Sequence, residues 1–369
     1  MKPIRVMLVD DSALVRQALR NVLEDGSGQF VVIAAVGDPF QAAAALRDEV
    51  PDVIVLDIEM PKMDGVTFLR KLMRQHPIPT VICSSLAREG ASVTLAALEA
   101  GAVEIILKPD LSTRDFFEQA RARIQDIVRA AASARVFKRK QQPAAPIARP
   151  HHLVKTTDRV VVVGASTGGT EAIAAVLAGL DAHCPGVAIV QHMPPGFTAS
   201  FAKRLNDRYP LEVREARDGD PILPGQVLLA PGDHHMELQR SGARYHVTLN
   251  QRPPVNRHRP SVDVLFESTA ECAGANAIGV ILTGMGADGA RGLKAMRDRG
   301  AGTIAQDEAT SVVYGMPAEA FKLGGAVHVE PLDDIARRVL ELASMQARAL
   351  GAAKPNSPQN VSHPNTKSE

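Results

Sequence analysis

The feature that most constrains this chain is an alternation, met twice, of short apolar β-rich runs with amphipathic stretches. In the first half the runs IRVMLVD, FVVIAAV, DVIVLD, TVICSS and VEIILKP are separated by SALVRQALRNVLED, FQAAAALRDE, GVTFLRKLMRQH and ASVTLAALEAG. A helix after every strand predicts right-handed crossovers and a parallel sheet, and unbroken apolar strands such as DVIVL suit a sheet covered on both faces. A closing helix is predicted over TRDFFEQARARIQDIVRAAA. The texture then changes, because VFKRKQQPAAPIARPHHLVKTTD is basic, Pro-rich and without apolar periodicity, as exposed linkers are. A second series starts at RVVVVG and runs through GVAIVQ, QVLLAP, AIGVILTG, GTIAQ and AVHVE, with HMELQR and YHVTLN around SGAR reading as an inserted hairpin. The expected division is a first α/β domain at 1–127, a basic Pro-rich linker at 128–157, a larger domain at 158–347 and a disordered tail at 348–369.

Composition removes several function classes. Lys plus Arg number 42 against 41 for Asp plus Glu, so the net charge of +1 supplies no field toward nucleic acid or anionic lipid, and no nucleic-acid partner is expected. No apolar run approaches the about 20 residues of a membrane helix, and MKPIRVMLVDD turns acidic after one short strand, so neither membrane insertion nor a signal peptide is expected. Cys83, Cys184 and Cys272 are odd in number, far apart and set in or beside apolar stretches, which suits a reducing, cytoplasmic compartment.

In the first domain Asp10 and Asp11 end the first strand and Asp57 ends the third. Ligands collect at the carboxyl ends of a doubly wound sheet, so the three carboxylates should converge. Their mutual repulsion is relieved by a hard divalent cation, and Mg²⁺ suits a site that receives a phosphoryl group. Ser84 and Lys108 end the fourth and fifth strands, where a hydroxyl and an ammonium can hold phosphate oxygens. The DD pair, Asp57 followed by MPKMDG, Ser84 and the Lys108–Pro109 pair resemble the response-regulator receiver family over residues 1 to about 125. The resemblance implies a flavodoxin-like (βα)5 fold, Asp57 as phosphoacceptor, and a sensor histidine kinase as phosphodonor with Mg²⁺ bound. Receivers usually carry Tyr or Phe where this chain has Ile105.

In the second domain GASTGG lies between a strand and a helix, and Gly164 to Gly168 satisfies GxSxG. Flanking glycines permit the sharp turn that exposes a serine Oγ, and the following helix N-terminus offers amides to an oxyanion. A serine hydrolase, a phosphate-cradling loop and a plain tight turn are all compatible with that motif alone, although the GxGxxG order is absent. His192 after GVAIVQ and Asp288 after AIGVILTGMGA would share the sheet edge with Ser166, as a base and its orienting carboxylate must. The order Ser, His, Asp differs from that of α/β-hydrolases, which excludes that fold. Asp233, His234 and His235 resemble ligands, yet neighbours in a turn point apart, and a loop role outweighs zinc. Arg252, Arg257, His258 and Arg259 form a basic cluster that is either a solvated loop or a contact for an acidic helix.

GASTGGTEA, QHMPPGFTASFAKRL, LLAPGDHHM, RPSVDVLFES, LTGMGADGARGL and AQDEATSVVYGMP resemble the protein-glutamate methylesterase domain of bacterial chemotaxis, over residues 158 to 345. The resemblance implies a mostly parallel, Rossmann-like α/β domain with a β-hairpin insertion, needing no cofactor for its hydrolysis. It also implies Ser166 as nucleophile, His192 as base and acid, Asp288 as orienting carboxylate, the Met285 amide as an oxyanion donor and Thr167 as an assisting residue. Methyl-accepting chemotaxis receptors would be the substrates.

Overall fold

The computed structural model describes residues 2–60, 63–85, 91–108, 114–136 and 159–352. The first unit comprises β1 (Ile4–Val9), α1 (Ala13–Leu23), β2 (Phe30–Val36), α2 (Pro39–Asp48), β3 (Val53–Asp57), α3 (Gly65–Gln75), β4 (Thr80–Ser84), α4 (Ala91–Glu99), β5 (Glu104–Leu107) and α5 (Arg114–Ala132). Its strands are all parallel in the order β2-β1-β3-β4-β5, the flavodoxin-like arrangement. Every residue of β3 and β4 is buried, which is why their sequences run apolar without alternation. The side chains of Ser12, Asp38 and Asp64 cap α1, α2 and α3 by accepting from first-turn amides. α5 packs Ile124, Val128 and Ala131 into the core and ends at Ala132, so helix continues past the boundary expected at 127. Pro61, Lys62, Pro109 and linker residues 137–158 lie outside the described residues.

The second unit comprises β6 (Val160–Ala165), α6 (Gly169–Ala178), β7 (Gly186–Gln191), α7 (Phe197–Arg208), β8 (Glu212–Glu215), β9 (Gln226–Leu229), β10 (His235–Ser241), β11 (Arg244–Asn250) and α8 (Val262–Cys272). It continues with β12 (Ala277–Ile281), α9 (Ala290–Asp298), β13 (Gly302–Gln306), α10 (Met316–Lys322), β14 (His328–Glu330) and α11 (Leu332–Ala352). Seven parallel strands run in the order β14-β13-β12-β6-β7-β9-β8, while β10 and β11 form a separate antiparallel hairpin. The hairpin buries Met236, Leu238 and Val247 in one cluster with Leu265 and Phe266 of α8. The chain departs from β6 in both directions, to β7 on one side and β12 on the other, which makes the carboxyl ends of β12, β6 and β7 the topological switch point. β8 was not anticipated from sequence. α11 continues to Ala352, into the stretch expected to be disordered from 348, and 353–369 lie outside the described residues.

No described helix is long and apolar enough to cross a membrane. The three cysteines are unpaired, and burial pushes the Cys184 thiol up to about 12 and that of Cys272 to about 11.

Candidate active site

Ser166 follows β6, His192 follows β7 and Asp288 lies in the loop after β12, so the three come from neighbouring strands. Ala165 is the register partner of Gln191, and the His192 amide donates to the Ala165 carbonyl at 3.1 Å, so Ser166 and His192 occupy adjacent positions just beyond paired strand ends. The Ser166 amide donates to the Thr283 carbonyl at 3.0 Å, tying the serine to the loop that carries Asp288. Gly168 has φ 77°, and a Cβ there would lie 2.6 Å from Val312 Cβ, so the turn from β6 into α6 requires glycine. A Cβ on Gly284 would lie 2.8 Å from Ser166 Cβ, which measures how closely the Met285 loop approaches the serine.

Asp288 is buried and accepts hydrogen bonds on both oxygens. Oδ2 accepts from His192 Nε2 at 2.8 Å and the Val262 amide at 2.7 Å; Oδ1 accepts from Asn256 Nδ2 at 2.7 Å, Ser261 Oγ at 2.7 Å and the Asp263 amide at 3.3 Å. The two amides belong to the first turn of α8, whose positive dipole end favours an anion. Burial opposes ionisation, but the bonds from His192, Asn256 and Ser261 outweigh it and hold this carboxyl well below the usual carboxylate range. An ionised Asp288 fixes the proton of neutral His192 on Nε2. Nδ1 then carries the lone pair, and it is buried without a hydrogen-bond partner among the described residues. A buried nitrogen with a free lone pair, on the strand end adjacent to that of a serine, has the chemistry a general base needs.

A tight turn holds this pair from above. Asn256 and Arg257 have φ 51° and 68°, a costly conformation for non-glycine residues. It sets Asn256 against Asp288 and lays the His258 ring flat on His192, with centroids 3.7 Å apart and planes 11° from parallel. Burial, then His192, push His258 down to about 3, so it stacks as a neutral ring. Thr167 is buried, and its carbonyl accepts from Thr283 Oγ1 at 3.0 Å. The amides at the start of α6, expected to face an oxyanion, are already committed: Gly169 donates to the Ser166 carbonyl at 2.7 Å and Gly168 to the Val103 carbonyl of the first unit at 3.2 Å. Met285, half-buried in the neighbouring loop, has no such commitment among the described hydrogen bonds.

In the first unit Asp10, Asp11 and Asp57 bring one carboxylate oxygen each within 4.8 Å of one another. Lys108 Nζ stands 2.8 Å from Asp57 and 3.1 Å from Asp10. Burial first, and then the Asp57 charge, raise the Asp10 pKa against the Ser12 amide and the Lys108 ammonium. Ser84 Oγ lies 3.1 Å from Thr94 Oγ1, and Ile105 is buried in the core.

The family profile described as CheB methylesterase matches residues 161–339, and that of the response regulator receiver domain matches residues 6–118. A protein-glutamate methylesterase/protein-glutamine glutaminase of Anaeromyxobacter dehalogenans is 57% identical over 352 residues, covering 92% of this chain and 97% of the relative. The chain belongs to the protein-glutamate methylesterase/protein-glutamine glutaminase family. A relative of the same description from Geobacter metallireducens is 54% identical over 93% of this chain and 99% of its own length. The solved catalytic domain of a Thermotoga maritima CheB methylesterase is 39% identical, with a TM-score of 0.49, over 51% of this chain and all of that one.

In this family member the receiver lies against the catalytic edge. Besides the Val103–Gly168 bond, the Arg135 amide donates to the Val312 carbonyl at 2.9 Å, and Arg135 pairs with Glu308 at 2.7 Å. Arg204 pairs with Glu99 of α4, and Arg257 Nη1 lies 3.2 Å from Asp126 of α5. Leu95 and Leu98 face Ala174, Phe201 and Leu205 across an apolar crevice. Glu104, at the start of β5, is buried, and that burial pushes its carboxyl up to about 7 against its bond from the Ile105 amide and the charge of Arg123.

Ser166, His192 and Asp288 converge as the sequence led us to expect, as do Asp10, Asp11, Asp57 and Lys108. Asp233, His234 and His235 serve the loop: Asp233 pairs with Arg259 at 2.6 Å, His234 Nδ1 lies 3.3 Å from the Gly232 carbonyl, and His235 bridges the Pro253 carbonyl and the Ser261 amide. Sequence reading missed Asn256, Ser261 and the stacking of His258. Their signal was the proximity of VNRH to an apparent helix cap, RPSVD, which periodicity cannot connect to a loop 27 residues further on at Asp288.

Proposed function

We propose that this chain hydrolyses glutamyl methyl esters, and deamidates glutamines, on methyl-accepting chemoreceptors, with Ser166 as nucleophile and the receiver as its gate. The observation that carries the reading is His192, held by Asp288 on Nε2, left with a buried, unpartnered Nδ1, and set on the strand end adjacent to that of Ser166. Ser166 Oγ attacks the γ-carbonyl while its proton passes to Nδ1 of His192. The C–O π pair moves onto oxygen, where the Met285 amide donates to the oxyanion. Collapse expels the methoxide oxygen, which takes the proton from His192 and leaves as methanol. Water then attacks the acyl-enzyme, gives its proton to Nδ1, and glutamate departs as Ser166 recovers that proton. With glutamine the leaving group is ammonia. Asp288 stays ionised and offsets the imidazolium charge in both halves. Thr167 assists by holding the Ser166 turn against Thr283.

The receiver supplies control. Asp57 is the phosphoacceptor, a sensor histidine kinase the donor, and Ser84 and Lys108 the phosphate contacts. Asp10, Asp11 and Asp57 would hold Mg²⁺, for which the crowded carboxylates fit; the ion would neutralise charge as the phosphoryl group arrives. Lys108 meanwhile keeps the acceptor carboxylate oriented. The Val103–Gly168 bond and the Glu99 and Asp126 ion pairs support a closed state that hinders entry to Ser166 until phosphorylation loosens it. A cytoplasmic site of action goes with a kinase donor and unpaired thiols. The domain division in this reading is a receiver through Ala132, a linker to 158 and a catalytic domain from Arg159. In the test, a methylated chemoreceptor fragment releases methanol with the full chain, and Ser166→Ala abolishes release while leaving Asp57 phosphorylation intact.

A further inference from the structure

Arg257 lies between two residues that contact the triad, and its own side chain takes no part in those contacts. Its neighbours on either side are both committed to that edge, Asn256 to Asp288 at 2.7 Å and His258 to the face of His192. Two successive left-handed residues are the means of doing this, and the Arg257 side chain is 80% exposed. Its ion-pair partner is Asp126, at 3.2 Å, on α5 of the receiver. The other arginines of the loop are satisfied within the catalytic domain, Arg252 by Glu237 and Arg259 by Asp233. Arg257 alone among these pairs with a domain that must withdraw for substrate to enter.

When the receiver withdraws, a guanidinium is left without its carboxylate on the loop that contacts Asp288 and His192. A guanidinium binds carboxylate through two parallel donors, so it favours a substrate that brings an acid to that position. The reaction itself makes such acids, since each turnover converts a glutamyl ester into a glutamate on the same polypeptide. We propose that Arg257 is the specificity residue that binds a carboxylate side chain of the substrate polypeptide next to the ester being cleaved. Asp126 fills the same position in the closed molecule as a stand-in for that substrate acid. The receiver therefore competes for a recognition contact as well as covering the serine. This rests on the esterase reading above.

The test uses the full chain with acetyl phosphate as phosphodonor and a methylated chemoreceptor fragment as the probe. Arg257→Ala should raise KM about tenfold, as expected for one charge-assisted contact at a partly exposed site, with kcat changed less than about twofold. Arg257→Lys should recover part of the loss. Asp126→Ala should leave KM unchanged or lower it and should raise the rate without phosphodonor. If Arg257 were only a latch, Arg257→Ala and Asp126→Ala would behave alike, with raised basal rates and unaltered KM, and that result overturns the proposal. Binding of the fragment to Ser166→Ala protein, with and without Arg257→Ala, separates the two readings. An Arg257-dependent affinity without turnover in the native chain would sink the esterase reading and keep the carboxylate contact. Turnover with an affinity indifferent to Arg257 would do the reverse.

Discussion

Replacing Asp288 by Asn keeps the size of the side chain and changes only what it can accept, so its consequence can be worked from the five bonds it makes. An amide offers one acceptor oxygen and one NH₂ donor. Placed at the Oδ1 position, the NH₂ confronts Asn256 Nδ2, Ser261 Oγ and the Asp263 amide. The serine can rotate to accept. Asn256 cannot flip without turning its oxygen on Asp263, whose Oδ2 it already holds at 2.8 Å, so two donors stay unmet. Placed at the Oδ2 position, the NH₂ confronts His192 Nε2 and the Val262 amide. Here the imidazole can move its proton to Nδ1 and accept, leaving only the Val262 amide unmet. The second arrangement is the cheaper, and it puts a proton on the nitrogen that must act as base. The expected result is a fall in kcat of about 10⁴ in methanol release, the scale on which a wrong tautomer disables a serine nucleophile. One buried amide without an acceptor costs about 1–3 kcal/mol, so the variant should still fold. Nitrogen-15 shifts of His192 should report the changed tautomer. Activity within tenfold of the parent, or a His192 still protonated on Nε2, would refute the argument.

Two further outcomes follow from single positions. Glu104 has its folded pKa raised from 4.5 to about 7, so the folded chain holds a proton that the unfolded chain has lost across that window. That contribution is complete below pH 4.5 and is lost as pH rises through about 7, to a maximum of about 3 kcal/mol. Glu104→Gln mimics the protonated form, and its thermal stability should match the parent at pH 5 and exceed it increasingly toward pH 8; parallel curves would exclude the effect. Gly284→Ala would place a Cβ 2.3 Å from Met316 Sδ and 2.8 Å from Ser166 Cβ. The loop must shift, at about 1–3 kcal/mol in melting experiments, and kcat should fall about 10²-fold as the Met285 amide moves; an unaltered kcat would remove Met285 from the oxyanion site.

Both sheets were legible because their inner strands, such as β3, β4, β6, β7 and β12, are buried throughout and therefore read as unbroken apolar runs. The hairpin was legible because SGAR interrupts two β-rich runs. β8 escaped because Glu212–Glu215 is a short, charged edge strand with one fully buried residue, so neither period nor apolar content marks it. The closing helix of the first unit was legible to its last residue, Ala132, because its apolar positions keep a helical period until the basic, Pro-rich stretch begins. Ser166, His192 and Asp288 could be found because each follows a recognisable strand, and strand ends share an edge in a parallel sheet. Asn256, Ser261 and His258 could not, since they reach the site through a loop and a helix cap whose placement depends on tertiary packing. Nor could the sequence reveal that the α6 amides are occupied, because one of the groups occupying them comes from the other domain.

The central claim is that Ser166, activated by His192 and shielded by the receiver, performs ester hydrolysis. Methanol release from a methylated chemoreceptor fragment, followed with the full chain with and without acetyl phosphate, tests it most directly. The expected result is a slow basal rate that rises several-fold with phosphodonor, no rise in Asp57→Asn, and no release above the uncatalysed level in Ser166→Ala under either condition. Methanol release by Ser166→Ala at a rate close to the parent would contradict the account.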